Sequence, residues 1–320
     1  MPLNKTGSIL VVTLWILIIL TLLGLMVAHR SGIELAFSNY QLNKTRSKYI
    51  AWAGLIYSMD QIRQDLMDQD LSEIDTAYAC GVVLPEGKRP RDLFQGQTLG
   101  GGVFDLSFER EGRVVFGFED ETGKLNLNAL DEGNAAIFKY LMLDLGLDEG
   151  EAEVIAASVV DWIDADDTVF QESNGAENEY YQGLPRAYDC KNQPMESLWE
   201  LLLVRGMTPE IFEKVKPYVT VLPSAAGVKV NFNTAPRPVL AALARSVAGA
   251  RTNTNLLDAG DFVERVVDYR AGADGEWGTE DDRPLEFSEI SFTSSGRAIA
   301  AALMVYAVKR ADFIRVHAVG

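Results

Sequence analysis

Histidine and cysteine are scarce in this chain. Two of each occur among 320 residues, His29 and His317, Cys80 and Cys190. No Cys-x-x-Cys pair is present. A structural zinc site takes about four Cys or His ligands, so zinc does not organise this fold. Cationic residues are also short, with 29 Lys and Arg against 46 Asp and Glu and a net charge of −17. A nucleic-acid surface needs clustered Lys and Arg to meet phosphates, and this balance excludes one. There is no P-loop, no Rossmann glycine pattern, no Gly-x-Ser-x-Gly and no His-Glu-x-x-His. The sequence therefore offers no signature of nucleotide, serine-hydrolase or zinc-protease chemistry, and the expectation is a protein that is not an enzyme. Disorder is excluded over most of the chain, because 48% of its residues are hydrophobic. The length allows one large domain or two smaller ones.

What the chain does have begins at its N-terminus. Ser8 to Ala28 reads SILVVTLWILIILTLLGLMVA, 21 residues without a charge. That is long enough to cross a bilayer as a helix. Lys5 precedes it and His29-Arg30 follow it, a weak positive-inside signal. A secretory signal peptide would have a shorter apolar core closed by a small-residue cleavage site. The expectation is therefore a lasting membrane anchor. From Ser31 to Asp68 apolar residues recur at three- and four-residue spacing without proline, which predicts that one long helix continues beyond the span.

The remainder reads as a sheet interrupted by helices. FDLSFEREGRVVFGF, Phe104 to Phe118, alternates around a glycine-bearing turn and predicts a β-hairpin. Ala298 to Val319 also reads as strands. The block between them is mostly helical and carries a diverged duplication. KLNLNAL at Lys124–Leu130 matches KVNFNTA at Lys229–Ala235. Each is followed about 35 residues later by a Val-Val-Asp-aromatic element, at Val159 and at Val266. Between the copies, Ser197 to Pro223 reads as helix, glycine turn and Thr-Pro-Glu helix start. This resembles a helix-hairpin-helix or SAM-like unit. Such units often grip DNA, but residues 118–192 hold 18 acidic and 4 basic residues. A packing module is the expectation, with no nucleic acid as partner.

Acidic residues cluster in two places. Asp161 to Pro185 holds seven carboxylates, Asp161, Asp164, Asp166, Asp167, Glu172, Glu177 and Glu179, and no basic residue. Such crowding costs free energy unless something cancels the repulsion. Calcium takes six to eight hard oxygens, and Asp-x-x-Asp-x-Asp-Asp at a helix end could supply several, with Gly175 turning the chain back to Glu177. The spacing is not that of an EF-hand. Composition alone leaves a solvated acidic loop and a cation site both open. A weaker second candidate is the Asp274–Pro284 loop, with Asp274, Asp281 and Asp282 among glycines.

The order of these features carries a resemblance. The leader MPLNKTG ends in Gly7 directly before the apolar run. ETGKLNLNAL, VVDWIDADD with GAENEYY, LLLVRGMTPE and VNFNTAP follow in turn. In this order they resemble the general secretion pathway protein K family, the K-type minor pseudopilins of type II secretion. The resemblance covers nearly the whole chain. The glycine- and acid-rich GADGEWGTEDDRP insert and the alanine-rich C-terminus depart from it.

The resemblance implies an α+β fold, with a pilin-like long N-terminal helix packed on an antiparallel sheet and a large, mostly helical SAM-like insertion. It divides the chain into a prepilin leader (1–7), a transmembrane half-helix (8–28), an amphipathic helix with first strands (29–117), a first SAM-like unit with the acidic loop (118–223), a second repeat (224–284) and C-terminal strands (285–320). It implies cleavage between Gly7 and Ser8 by prepilin peptidase. Val12 then stands fifth, where major pilins carry Glu, as K-type chains characteristically lack it. It implies a single-pass inner-membrane protein with its bulk in the periplasm, at the tip of a pseudopilus. Its partners would be the bilayer, I- and J-type minor pseudopilins and the inner-membrane secretion platform. It also implies calcium at the first acidic cluster, among Asp161, Asp164, Asp166, Asp167, Glu177 and Glu179. In that oxidising compartment Cys80 and Cys190 are expected to form a disulfide. The competing readings are a tip protein of a type IV pilus or DNA-uptake system, and a membrane-anchored periplasmic hydrolase.

Overall fold

The computed structural model describes residues 5–67, 90–110, 112–222, 227–249, 252, 254–273, 275 and 283–320. Helix α1 runs unbroken over Lys5–Met67, 63 residues. At 1.5 Å per residue it is about 95 Å long, three times a bilayer's hydrocarbon thickness. No proline interrupts it. From Ile9 to Val27 its apolar side chains are exposed within the chain. Of the helices in the described residues, this one alone is long and apolar enough to cross a membrane.

A short helix α2 (Pro90–Phe94) leads into strands β1 (Gln97–Leu99), β2 (Gly102–Arg110) and β3 (Arg113–Phe116). The β2–β3 hairpin is the one the alternation predicts, with Ser107 opposite Phe116 and Arg110 opposite Arg113. Strand β1 pairs antiparallel with the start of β2. The alternation buries Phe104, Leu106 and Phe108 on one face of β2. That face meets the second half of α1, where Ile50, Tyr57 and Ile62 complete a small core with Phe94 and Phe118. Gly54 lets helix and sheet come close, since a Cβ there would sit 3.0 Å from the Phe104 ring.

Strand β4 (Glu119–Asp120) passes the chain into the helical part. The first helical unit holds β5 (Leu125–Asn126), α3 (Ala136–Asp144), α4 (Glu149–Ile163), α5 (Asn178–Gln182), a 3-10 turn at Leu198–Leu203, α6 (Pro209–Val215) and β6 (Val219–Thr220). The second holds β7 (Val230–Asn231), α7 (Arg237–Val247), α8 (Leu256–Arg270), α9 (Ser294–Leu303) and β8 (Ala307–Val308). Each unit closes on itself through a short parallel pair, β5 with β6 and β7 with β8. The chain ends in β9 (Ile314–Arg315), which pairs with β4, and β10 (Ala318–Val319), which pairs with β2.

The duplication read from the sequence is a duplication of structure. In the first unit Asn128 Oδ1 accepts the Met195 amide, and its Nδ2 donates to the Val221 carbonyl just past β6. In the second unit Asn233 Oδ1 accepts the Leu285 amide, and its Nδ2 donates to the Lys309 carbonyl just past β8. Both Val-Val-Asp elements fall in the last turn of a 15-residue helix, α4 and α8. The units share one apolar core, and Arg245 of α7 pairs with Asp144 of α3 at 2.6 Å.

One sequence expectation is overturned. The stretch beginning at Ala298 was expected as strand, but Ala298–Leu303 lies in α9. Alanine has the highest helix propensity, and Thr293 caps the helix by accepting the Gly296 amide at 3.1 Å. Ile299 and Leu303 then fall on one buried face, four residues apart. Only the short β8, β9 and β10 follow as strands.

Candidate metal centre

The first acidic cluster forms where α4 stops. Asp161 lies in its last turn and is fully buried. Its two carboxylate oxygens accept the amides of Phe170 at 2.8 Å and Ala176 at 2.6 Å. These bonds fold the following loop back over the helix end. Gly175 is required there, because a Cβ would collide with the Asp161 carboxylate and the Phe170 carbonyl. Asp164 is the C-cap of α4. Glu177 precedes α5 and is 3% exposed.

Carboxylate oxygens of Asp161, Asp164 and Glu177 all lie within 4.8 Å of one another. Asp164 Oδ1 and both Glu177 oxygens are buried without a geometric hydrogen-bond partner; only the Cys190 thiol, a weak donor, eases the Glu177 charge. Three crowded carboxylates with too few donors resist ionisation. Burial, offset in part by the two amides, raises Asp161 to about 6. Burial and the charges of Asp166 and Asp161 raise Asp164 to about 6. Burial and the charges of Asp161, Asp164 and Asp167 raise Glu177 to about 7. A buried carboxylate with no donor needs a proton or a cation. Hard oxygens without nitrogen or sulfur suit calcium or magnesium rather than zinc.

Of the six residues expected here, the structure brings together these three. Asp166 accepts the Thr168 amide at 2.8 Å and shapes the turn. Asp167 accepts the side-chain amides of Asn178 and Asn192 at 3.0 and 3.1 Å. Glu179 is exposed in the first turn of α5. Sequence reasoning missed Glu132, whose charge raises both Asp161 and Asp164. It reaches them from the turn before α3, and no local signal marks it. Asp274, Asp281 and Asp282 lie outside the described residues, as does Cys80. Cys190 is a buried free thiol, pushed up to about 12 chiefly by burial. Gly7 and Ser8 lie in the first turns of α1.

The predicted hairpin is present nearby. The 3-10 turn ends at Leu203, Gly206 turns the chain at φ +83°, and Thr208 caps α6 by accepting the Ile211 amide at 3.2 Å. Arg205 Nη1 donates to the Gly175 carbonyl at 2.8 Å, which ties this hairpin to the acidic loop.

A long apolar N-terminal helix laid on a small antiparallel sheet, with a duplicated helical insertion, defines a pilin-like architecture whose one such helix among the described residues is long and apolar enough to cross a membrane. Residues 123–224 match the family model for protein K of the type II secretion system. The type II secretion system protein K of Pectobacterium carotovorum is 27% identical over 244 residues, covering 72% of this chain and 67% of that protein. The protein of the same name in Pseudomonas aeruginosa is 23% identical, covering 82% and 78%. That of Aeromonas hydrophila is 40% identical over 106 residues, covering 33% and 31%. A crystal structure of the GspK-GspI-GspJ complex from the enterotoxigenic Escherichia coli type 2 secretion system contains a chain of the same fold. Its TM-score is 0.50, with 20% identity over 86% of this chain and 88% of that one. By these matches the chain is similar, along most of its length, to type II secretion system protein K.

Proposed function

We propose that the protein is a minor pseudopilin of type II secretion, anchored in the inner membrane by α1 with its bulk in the periplasm, and that it caps the pseudopilus. The observation that carries this is α1 itself. Its first half has no protein cover within the described residues, and its second half lies on the sheet. The duplicated helical insertion adds bulk that a mid-fibre position, packed on all sides, would not accommodate. Val12 in the membrane half carries no charge that would need a partner in the apolar interior. The role is structural rather than catalytic. I- and J-type pseudopilins are the neighbours, prepilin peptidase removes residues 1–7, and the secretion platform receives the mature chain.

Calcium belongs to the same proposal. Asp161, Asp164 and Glu177 hold the ion, which supplies the positive charge that their buried oxygens lack. It pins the loop between α4 and α5 against the first unit.

Two measurements test the reading. N-terminal sequencing of the membrane form should begin at Ser8, and Gly7→Glu should leave the precursor whole. Normal processing of that variant defeats the assignment. Export through the secretion system should stop when the gene is deleted and return with the full chain. Export that continues unchanged defeats the function.

A further inference from the structure

One residue of the hairpin turn grips the acidic loop from outside. Arg205 stands between the 3-10 turn and α6, and its Nη1 donates to the Gly175 carbonyl at 2.8 Å. The N–H of the same peptide group is that of Ala176, which Asp161 accepts at 2.6 Å. A peptide group is planar, so holding its oxygen and its N–H together fixes the plane. The chain leaves that plane through Ala176 and reaches Glu177 next. The peptide before Glu177 is therefore clamped between a carboxylate of α4 and the guanidinium of the hairpin.

Arg205 also holds the far side of Glu177. Its backbone N–H donates to the Tyr181 hydroxyl at 3.3 Å, and its guanidinium lies 4.9 Å from the centre of the Tyr180 ring. Both tyrosines belong to α5, which starts directly after Glu177. The turn itself is seated on α4. A Cβ on Gly206 would lie 3.0 Å from Ile155 Cγ1 and 3.3 Å from Val154 Cγ1. That helix carries Asp161 and ends at Asp164, so the hairpin and two of the three clustered carboxylates share one support. The guanidinium is taken up by a carbonyl and a ring, whereas the charges acting on Glu177 are those of Asp161, Asp164 and Asp167. The contact places the Glu177 backbone and leaves its carboxylate to a cation.

We propose that Arg205 is a positioning residue of the cation site, setting the affinity for calcium by holding Glu177 against Asp161 and Asp164 without touching the ion. The inference rests on the cation reading above. Groups that orient metal ligands without meeting the metal commonly change its affinity by about 10–100-fold. The role also accounts for the hairpin. Its acidic surroundings repel phosphate, and the turn latches a loop of its own chain instead.

Calcium titrations of the full-length chain in detergent test it. Affinity is read at the site, as protection of the amides of residues 176–181 from hydrogen exchange. Arg205→Ala should bind calcium about tenfold more weakly than the wild type. Arg205→Lys, which keeps a donor for the Gly175 carbonyl, should recover part of that loss. Thr208→Ala removes the cap of α6 in the same hairpin. It should lower the melting temperature in chelator and leave the calcium affinity unchanged. In chelator, exchange at Ala176 and Glu177 should quicken in Arg205→Ala before it does in α4. If Arg205→Ala binds calcium as the wild type does, or Thr208→Ala weakens binding as much as Arg205→Ala, the positioning role is overturned and the cation reading stands. A wild-type chain that calcium does not protect overturns the cation reading and the role of Arg205 with it.

Discussion

Asp161 accepts the backbone amide of Ala176 at 2.6 Å, fifteen residues further along the chain. The bond joins the last turn of α4 to the residue before Glu177, and so brings Glu177 to Asp164. A carboxylate proposed as a cation ligand thus also builds the loop that brings in another candidate.

Gly175→Ala tests that geometry. The added methyl would collide with the Asp161 carboxylate and the Phe170 carbonyl, so the loop must open. We expect a loss of about 1–3 kcal/mol, the scale of overpacking, and loss of calcium-dependent stabilisation. Thermal melts with calcium and with chelator measure both.

Asp164→Asn with Glu177→Gln should act in opposite directions with and without the ion. In chelator the double variant should melt higher than the wild type, because unpaired buried charges are removed. With calcium it should melt no higher than in chelator, whereas the wild type should gain stability as RT ln(1 + [L]/Kd). Magnesium, which demands a tighter octahedron, should do little. A wild-type melt indifferent to calcium would show the cluster to be a solvated loop.

Protons compete for the same oxygens. Asp161 and Asp164 at about 6 and Glu177 at about 7 are raised above their ordinary values. The folded state therefore holds protons more tightly than the unfolded one. In chelator the stability these groups contribute is present at pH 4 and falls as pH rises through 6 and 7. Calcium binds the ionised form, so its affinity should rise over the same interval. Melts and calcium titrations from pH 5 to 8 should show the two trends crossing.

Asp120 joins the sheet to the second helical unit. It is 8% exposed and accepts from Thr122 N at 2.6 Å, Thr234 Oγ1 at 2.5 Å and Asn231 Nδ2 at 3.0 Å. Asp120→Ala should cost about 3 kcal/mol or more, since each donor left unpaired costs about 1–3 kcal/mol. Hydrogen exchange should quicken around Asn231 and Thr234 before it does in α3 and α4.

Much was legible in the sequence because local physics settles it. A 21-residue apolar run followed by three-four spacing reads as one long helix whose first half is long and apolar enough to cross a membrane. Alternation through Phe104–Phe118 gave the hairpin, and the repeated Asn motifs gave the two units, because the side chains that close each unit are written into the motif. The alanine-rich C-terminus was misread as strand, since Ala and Val at close spacing carry no clear period until Ile299 and Leu303 find the core.

Tertiary structure decided the rest. Composition showed seven crowded carboxylates and the resemblance implied six of them as ligands, but only the fold decided that oxygens of Asp161, Asp164 and Glu177 lie within 4.8 Å of one another and that the charge of Glu132 acts on two of them. Charge density is a property of the sequence, whereas which oxygens lose both water and hydrogen-bond donors depends on how a loop closes. The same holds for α1: its periodicity announced an amphipathic helix, but the sheet, by covering the Gly54 face, determined that Trp52 and Ile56 would be the ones left exposed.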